Sequence, residues 1–135
     1  MSSQDLTLSL RPFHKGARFS LFIFERSEGD SPVADFLGGL SGTERARFAA
    51  HFERVADHGP LYNPGKSVPI AGHDFLEFKS GQQRIFWCYA SGSRIVLLHG
   101  FTKKSNRTPR RELRAGCAAT RASAGRDRRV RWQRC

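Results

Sequence analysis

Between Phe75 and Phe101 the chain holds three runs of aromatic and β-branched residues, FLEFK, RIFWCYA and RIVLLHGF. Only the short segments Ser80–Gln82 and Ser91–Ser93 separate them. Connections of that length join antiparallel neighbours, so the stretch predicts a three-stranded meander over about Phe75–Lys79, Arg84–Ala90 and Arg94–Phe101. A meander has one face to bury and needs a second layer to cover it. Upstream, FSLFIFE at Phe19–Glu25 has the composition of a further strand. Ser31 followed by Pro32 is an N-cap with proline at the first helical position. It predicts a short helix that stops at Gly38–Gly39. Ser41 or Thr43 then caps a second helix reaching about His58. Phe48, Phe52 and Val55 stand at i, i+4 and i+7 on it and form one apolar stripe. Gly59–Pro60 ends that helix, and a loop with Asn63, Pro64 and Gly65 follows.

The order β-α-α-β-β-β gives an α+β fold, with a helical hairpin packed on a mostly antiparallel sheet. Pro109 allows a last short helix near Arg110–Ala115. Residues 1–18 show no sustained periodicity and are read as a leader outside the core. Residues 116–135 are Arg, Ala, Gly and Ser with little to pack, and are read as a disordered tail. The domain is therefore placed at residues 19–115. A chain of 135 residues fits one domain, and its 11 Phe argue against disorder throughout. No run approaches the roughly 20 apolar residues that span a bilayer, and no secretion signal is visible. Three widely spaced cysteines, Cys88, Cys117 and Cys135, offer neither a disulfide framework nor a Cys-x-x-Cys knuckle. The cytoplasm is the expected compartment.

The net charge of +11 is segregated. Residues 1–101 hold 11 basic and 10 acidic side chains, and residues 102–135 hold 12 and 2. A near-neutral body thus carries a basic C-terminal third, which suits phosphate polymers better than a membrane surface. A solvated basic tail without a partner is the plain alternative.

Three constellations could carry chemistry. Alternation puts Phe75, Glu77 and Lys79 on one side of their strand, and Arg84, Phe86 and Cys88 share a side of the next. Pairing brings Lys79 and Arg84 together across the turn, where two cations and a carboxylate could hold a phosphate. A surface salt-bridge cluster would look the same. The second constellation is HGFTKKSNRTPRRELR, His99–Arg114, with six cations. Lys103 and Lys104 stand at the strand exit, and Arg107, Arg110 and Arg111 would extend the phosphate path. The third is His99, a possible proton donor or acceptor, or simply a satisfied strand histidine. His51 and His58 read as surface or packing residues, and no histidine spacing suits zinc. Cys88 reads as core.

SPVADFL at Ser31–Leu37 and FLEFKSGQQRIFWCYASGSRIVLLHGFTKKSNRTPRREL at Phe75–Leu113 together resemble the phage-derived HigB-like branch of the RelE/ParE toxin superfamily. The resemblance spans about residues 19–115. It implies the toxin of a type II toxin–antitoxin pair, with a small antitoxin, expected to be of helix-turn-helix type, as partner. It implies a metal-independent and cofactor-free endoribonuclease acting on mRNA at the ribosome. Arg84 is then the phosphate clamp, Lys79, Lys103 and Lys104 supply transition-state charge, and His99 is an acid or base. RelE-type members carry lysines where this chain has Phe75 and Glu77, and a tyrosine where it has Arg110. A ParE-like gyrase poison and a non-catalytic nucleic-acid-binding phage protein or inactive remnant are the other functions compatible with such a fold.

Overall fold

The computed structural model describes residues 10–126. Its elements run β1 Leu10–Lys15, β2 Ser20–Phe24, α1 Pro32–Gly38, α2 Gly42–His58, β3 Ser67–Pro69, β4 Leu76–Ser80, β5 Gln83–Ala90, β6 Arg94–Thr102 and α3 Arg110–Arg126, with two single 3-10 turns, Pro60–Tyr62 and Pro64–Lys66, between α2 and β3. The meander, the Phe19–Glu25 strand and both helices of the hairpin form where the sequence places them. The strands join one sheet in the order β1-β2-β6-β5-β4-β3. Only β2 and β6 pair in parallel, and every other neighbour is antiparallel. This is a RelE-like α+β arrangement.

The caps follow from single residues. Ser31 Oγ accepts from the Ala34 N–H at 3.2 Å, and Pro32 opens α1. Ser41, not Thr43, caps α2: its Oγ accepts from the Glu44 N–H and the Glu44 carboxylate accepts the Ser41 N–H, both at 3.2 Å. Those two bonds form a reciprocal capping box. The Ser41 N–H, then the Gln83 amide and the Ser41 hydroxyl, donate to the Glu44 carboxylate and hold its pKa below the ordinary value.

Two cores sandwich the sheet. On one face Phe48, Phe52, Val55 and Ala56 of α2, with Val33 and Leu37 of α1, pack on Leu21, Ile23, Phe78, Ile85, Trp87, Ile95 and Leu97. This is the predicted stripe. On the other face Leu10, Phe24, Phe75, Phe86, Cys88, Val96, Leu98 and Phe101 lie under Cys117 and Ala119 of α3.

Three expectations need correction. The leader is not outside the core: β1 pairs with β2 from Leu10 to Lys15, and Leu10 is buried. The sequence hides this strand because Pro12 and a register shift between Pro12 and His14 break its periodicity. The disordered tail is not one up to Arg126: α3 continues eleven residues past Ala115. Gly116, Cys117, Ala119, Thr120 and Ser123 are buried. Small residues made the segment look unable to pack, yet small residues are what lets a helix lie close on aromatic rings. A Cβ at Gly116 would come within 2.8 Å of Phe75 and 2.9 Å of Phe86. Finally, the loop after α2 contains a short edge strand, β3, paired to β4. The outermost parts of the predicted leader and tail, 1–9 and 127–135, lie outside the described residues.

Candidate nucleic-acid interface

The site is assembled at one end of the sheet. The β4–β5 turn and the exit of β6 lie side by side there, since Gln83 pairs with Thr102 and the Lys103 N–H donates to the Gln82 carbonyl at 2.7 Å. Lys79 pairs directly with Arg84, and Arg84 with Phe101. Register partners share a face, so Lys79, Arg84 and Phe101 form a row about two strand spacings wide, roughly 10 Å. The next row inward is Glu77, Phe86 and His99.

His99 reaches that face through an irregularity. Counting by twos from Ile95 and Leu97 puts His99 on the hairpin side. Phe86 pairs with His99 but Trp87 pairs with Leu97, so β6 has one extra residue, Leu98. Such a bulge rotates everything beyond it and re-aims side chains. Leu98, Phe101 and His99 all end on the α3 face, where the His99 ring lies 6.1 Å from Phe101 and 6.2 Å from Phe86, centroid to centroid. His99 Nε2 meets Glu112 Oε1 at 2.7 Å, and Arg111 Nε lies 3.4 Å from the other Glu112 oxygen. Glu112 sits in the first turn of α3, where a carboxylate suits the helix dipole.

Arg84 is partly committed to the fold. Its Nη1 donates to the Gly81 and Gln83 carbonyls at 2.7 and 3.0 Å, closing the β4–β5 turn. Its Nε stands 3.7 Å from Glu77 Oε2, too long for a hydrogen bond but an ion pair. Glu77 is buried, and its Oε1 has no hydrogen-bond partner among the described residues. The guanidinium is therefore held from one side by carbonyls and a buried carboxylate. Held in this way the guanidinium has a fixed orientation, the condition for geometrically specific pairing with an oxyanion.

Lys79 and Lys103 are half-buried, and Lys104, Arg107, Arg110 and Arg111 are exposed. The structure thus places Lys79, Arg84 and His99 on one face at one sheet end, with Lys103 just past the exit of β6. Arg107 lies in the connection to α3, and Arg110 and Arg111 open that helix.

Two contributors escape the sequence reading. Glu112 is one. The other is Gln83, whose amide donates to Glu44 at 2.8 Å and accepts from Thr102 Oγ1 at 2.6 Å. That chain ties the start of α2 to the end of β6 and fixes the frame on which the cations sit. Pro109 followed three residues later by Glu112 was the available signal for the first. Nothing local marks the second. Cys88 is a buried free cysteine whose thiol is pushed well up by burial and then by Asp74, so it is core, as expected. No group of three His, Cys, Asp or Glu side chains that could hold a metal ion occurs among the described residues.

Residues 35–121 match the family described as Phage derived protein Gp49-like (DUF891). The chain belongs to that family. The Gp49-like family is a RelE-like toxin family, in keeping with the fold. The Gp49-like match runs from α1 through the first two-thirds of α3 and so includes six residues of the predicted tail. It also covers every candidate site residue. No curated protein matches the chain. No helix among the described residues is long and apolar enough to cross a membrane.

Proposed function

We propose that this Gp49-like protein is a HigB-like toxin that cuts mRNA, on the ribosome and without a metal ion, and that a small antitoxin neutralises it. The observation that carries the reading is the row of Lys79 and Arg84 beside the Lys103–Lys104 strand exit, with an oriented imidazole one row inward. RNA supplies its own nucleophile, the 2′-hydroxyl. The protein has to fix the phosphate, offset the extra negative charge of the transition state and move two protons. Fixed cations on a rigid sheet do the charge work directly. Lys104, Arg107 and Arg110 would track the flanking phosphates. An antitoxin that covers this face would both neutralise the cations and block the RNA.

The test is induction in a bacterial host, with mapping of mRNA 5′ ends within minutes. Clustered in-frame ends inside translated regions are expected. Arg84→Ala should lower cleavage about 100-fold, the scale for losing one oriented donor to a developing charge. Because Arg84 also closes a turn, its thermal midpoint is read alongside. Lys104→Ala, at an exposed position, should lower cleavage without moving that midpoint. Growth arrest with intact mRNA would overturn the nuclease reading and favour gyrase as target.

A further inference from the structure

We propose that Glu112 is a positioning residue: it fixes His99 as the Nε2–H tautomer and so presents Nδ1 as the proton acceptor for the RNA 2′-hydroxyl. The proposal rests on the nuclease reading above and assigns the roles of two atoms within it. A carboxylate oxygen only accepts, so the 2.7 Å contact puts the hydrogen on Nε2. Nδ1 takes no hydrogen bond from the described residues, and the side chain is partly exposed. The ring is flanked by Phe86 and Phe101, and the carboxylate is steadied by Arg111 on its second oxygen. Neither partner is a surface pair free to wander, since their side chains are only 17% and 16% exposed. The bulge at Leu98 turns His99 toward α3, and α3 meets it with its only acidic first-turn residue. A base whose far nitrogen is held by a carboxylate has the layout that orients imidazole in acyl-transfer enzymes. Here the nitrogens are exchanged, with the carboxylate on Nε2 and the working lone pair on Nδ1.

The 2′-hydroxyl gives its proton to Nδ1, and the 2′-oxygen bonds to phosphorus. The bond from phosphorus to the 5′-oxygen breaks, leaving a 2′,3′-cyclic phosphate. The departing 5′-oxygen takes a proton from water, and the imidazolium returns its own to the hydroxide formed. Nothing is oxidised or reduced.

Two measurements test the assignment. Nitrogen-15 spectra of the imidazoles, with His99 identified by the signal lost in His99→Gln, should show Nε2 protonated and Nδ1 bare. In Glu112→Gln the amide can donate as well as accept, so a mixture of tautomers should appear. A dominant Nδ1–H form in the unaltered protein overturns the proposal whatever the activity. Cleavage kinetics on ribosome-bound mRNA then form a double-mutant cycle. Glu112→Gln should lower kcat roughly 10–100-fold with little change in KM, within the range for a misplaced general base. In the His99→Gln background it should cost less than about threefold, because a residue acting through His99 has nothing left to position. Equal losses in both backgrounds mark a merely structural role and overturn the proposal. Wild-type rates in Glu112→Gln overturn it and leave the nuclease reading standing. A wild-type protein that cuts no mRNA overturns the nuclease reading, and the proton-transfer role with it.

Discussion

His51 is a packing residue rather than a surface one, and its burial shifts its titration. It lies on α2, sealed among Phe52, Phe78 and Tyr62, with Nδ1 2.6 Å from the Tyr62 hydroxyl. Burial first, then the charges of Lys66 and Arg54, bring its pKa down to about 4 from an ordinary 6.5. The unfolded chain thus binds this proton between those values and the folded chain does not. Stability tied to the neutral ring is complete above pH 6.5 and is lost as pH falls toward 4. The thermal midpoint should fall across that window. His51→Gln, which does not titrate, should flatten the fall, and an unchanged slope would refute the assignment. Arg84 carries a comparable lesson at the site. Its side chain closes the β4–β5 turn and is also the phosphate clamp of the proposed nuclease, so activity and stability losses in its variants have to be separated.

At the scale of elements, α3 decides whether the second face of the sheet is covered at all. Its residues are small, and the helix gains its contacts by lying close to Phe75 and Phe86 rather than by reaching down with long side chains. Gly116 sits at the closest approach. Alanine is the better helix former by up to about 1 kcal/mol, but its methyl would meet two buried rings that cannot swing away. Gly116→Ala should therefore destabilise by about 1–3 kcal/mol, the usual cost of overpacking. Gly42→Ala, in the first turn of α2 with open space around it, should be neutral or gain up to about 1 kcal/mol. The denaturant midpoint should fall for Gly116→Ala and hold or rise for Gly42→Ala. Two downward shifts of similar size would mean that α3 does not pack as closely as described. The bulge in β6 belongs to this scale too. One extra residue moves His99 from one layer of the molecule to the other, and no side-chain preference announces it.

For the whole molecule, the decisive asymmetry is charge against architecture. The sandwiched body is close to neutral, and the excess of cations begins where β6 ends. Residues 127–135 add four arginines and one aspartate to that excess. Binding to a single-stranded RNA should weaken as salt rises, with a log–log slope of about 0.7 per phosphate neutralised. A chain ending at Arg126 should show a shallower slope, by up to about 3, if those four arginines contact phosphate. A chain ending at Ala115 should lose the cover over Phe75, Phe86 and Leu98 and melt far lower. An unchanged salt slope in the first truncation would place the RNA contacts wholly within residues 1–126.

The sequence by itself determined the meander, the capped helical hairpin, the apolar stripe of α2 and the facing pair of Lys79 and Arg84. All of these follow from local rules: alternation by two, periodicity near 3.6, and capping and turn residues within a few positions of each other. The SPVADFL segment and the run from Phe75 to Leu113 also sufficed to point at a RelE-like toxin fold. Only the tertiary structure decided the rest. β1 became a strand because β2 offered it a partner, against the grain of Pro12. The supposed tail became α3 because an aromatic sheet face needed a closely fitting cover, which small residues supply. His99 met Glu112 because a bulge turned one and a helix start delivered the other. Each of these depends on what lies opposite in space, and neither composition nor periodicity carries that information.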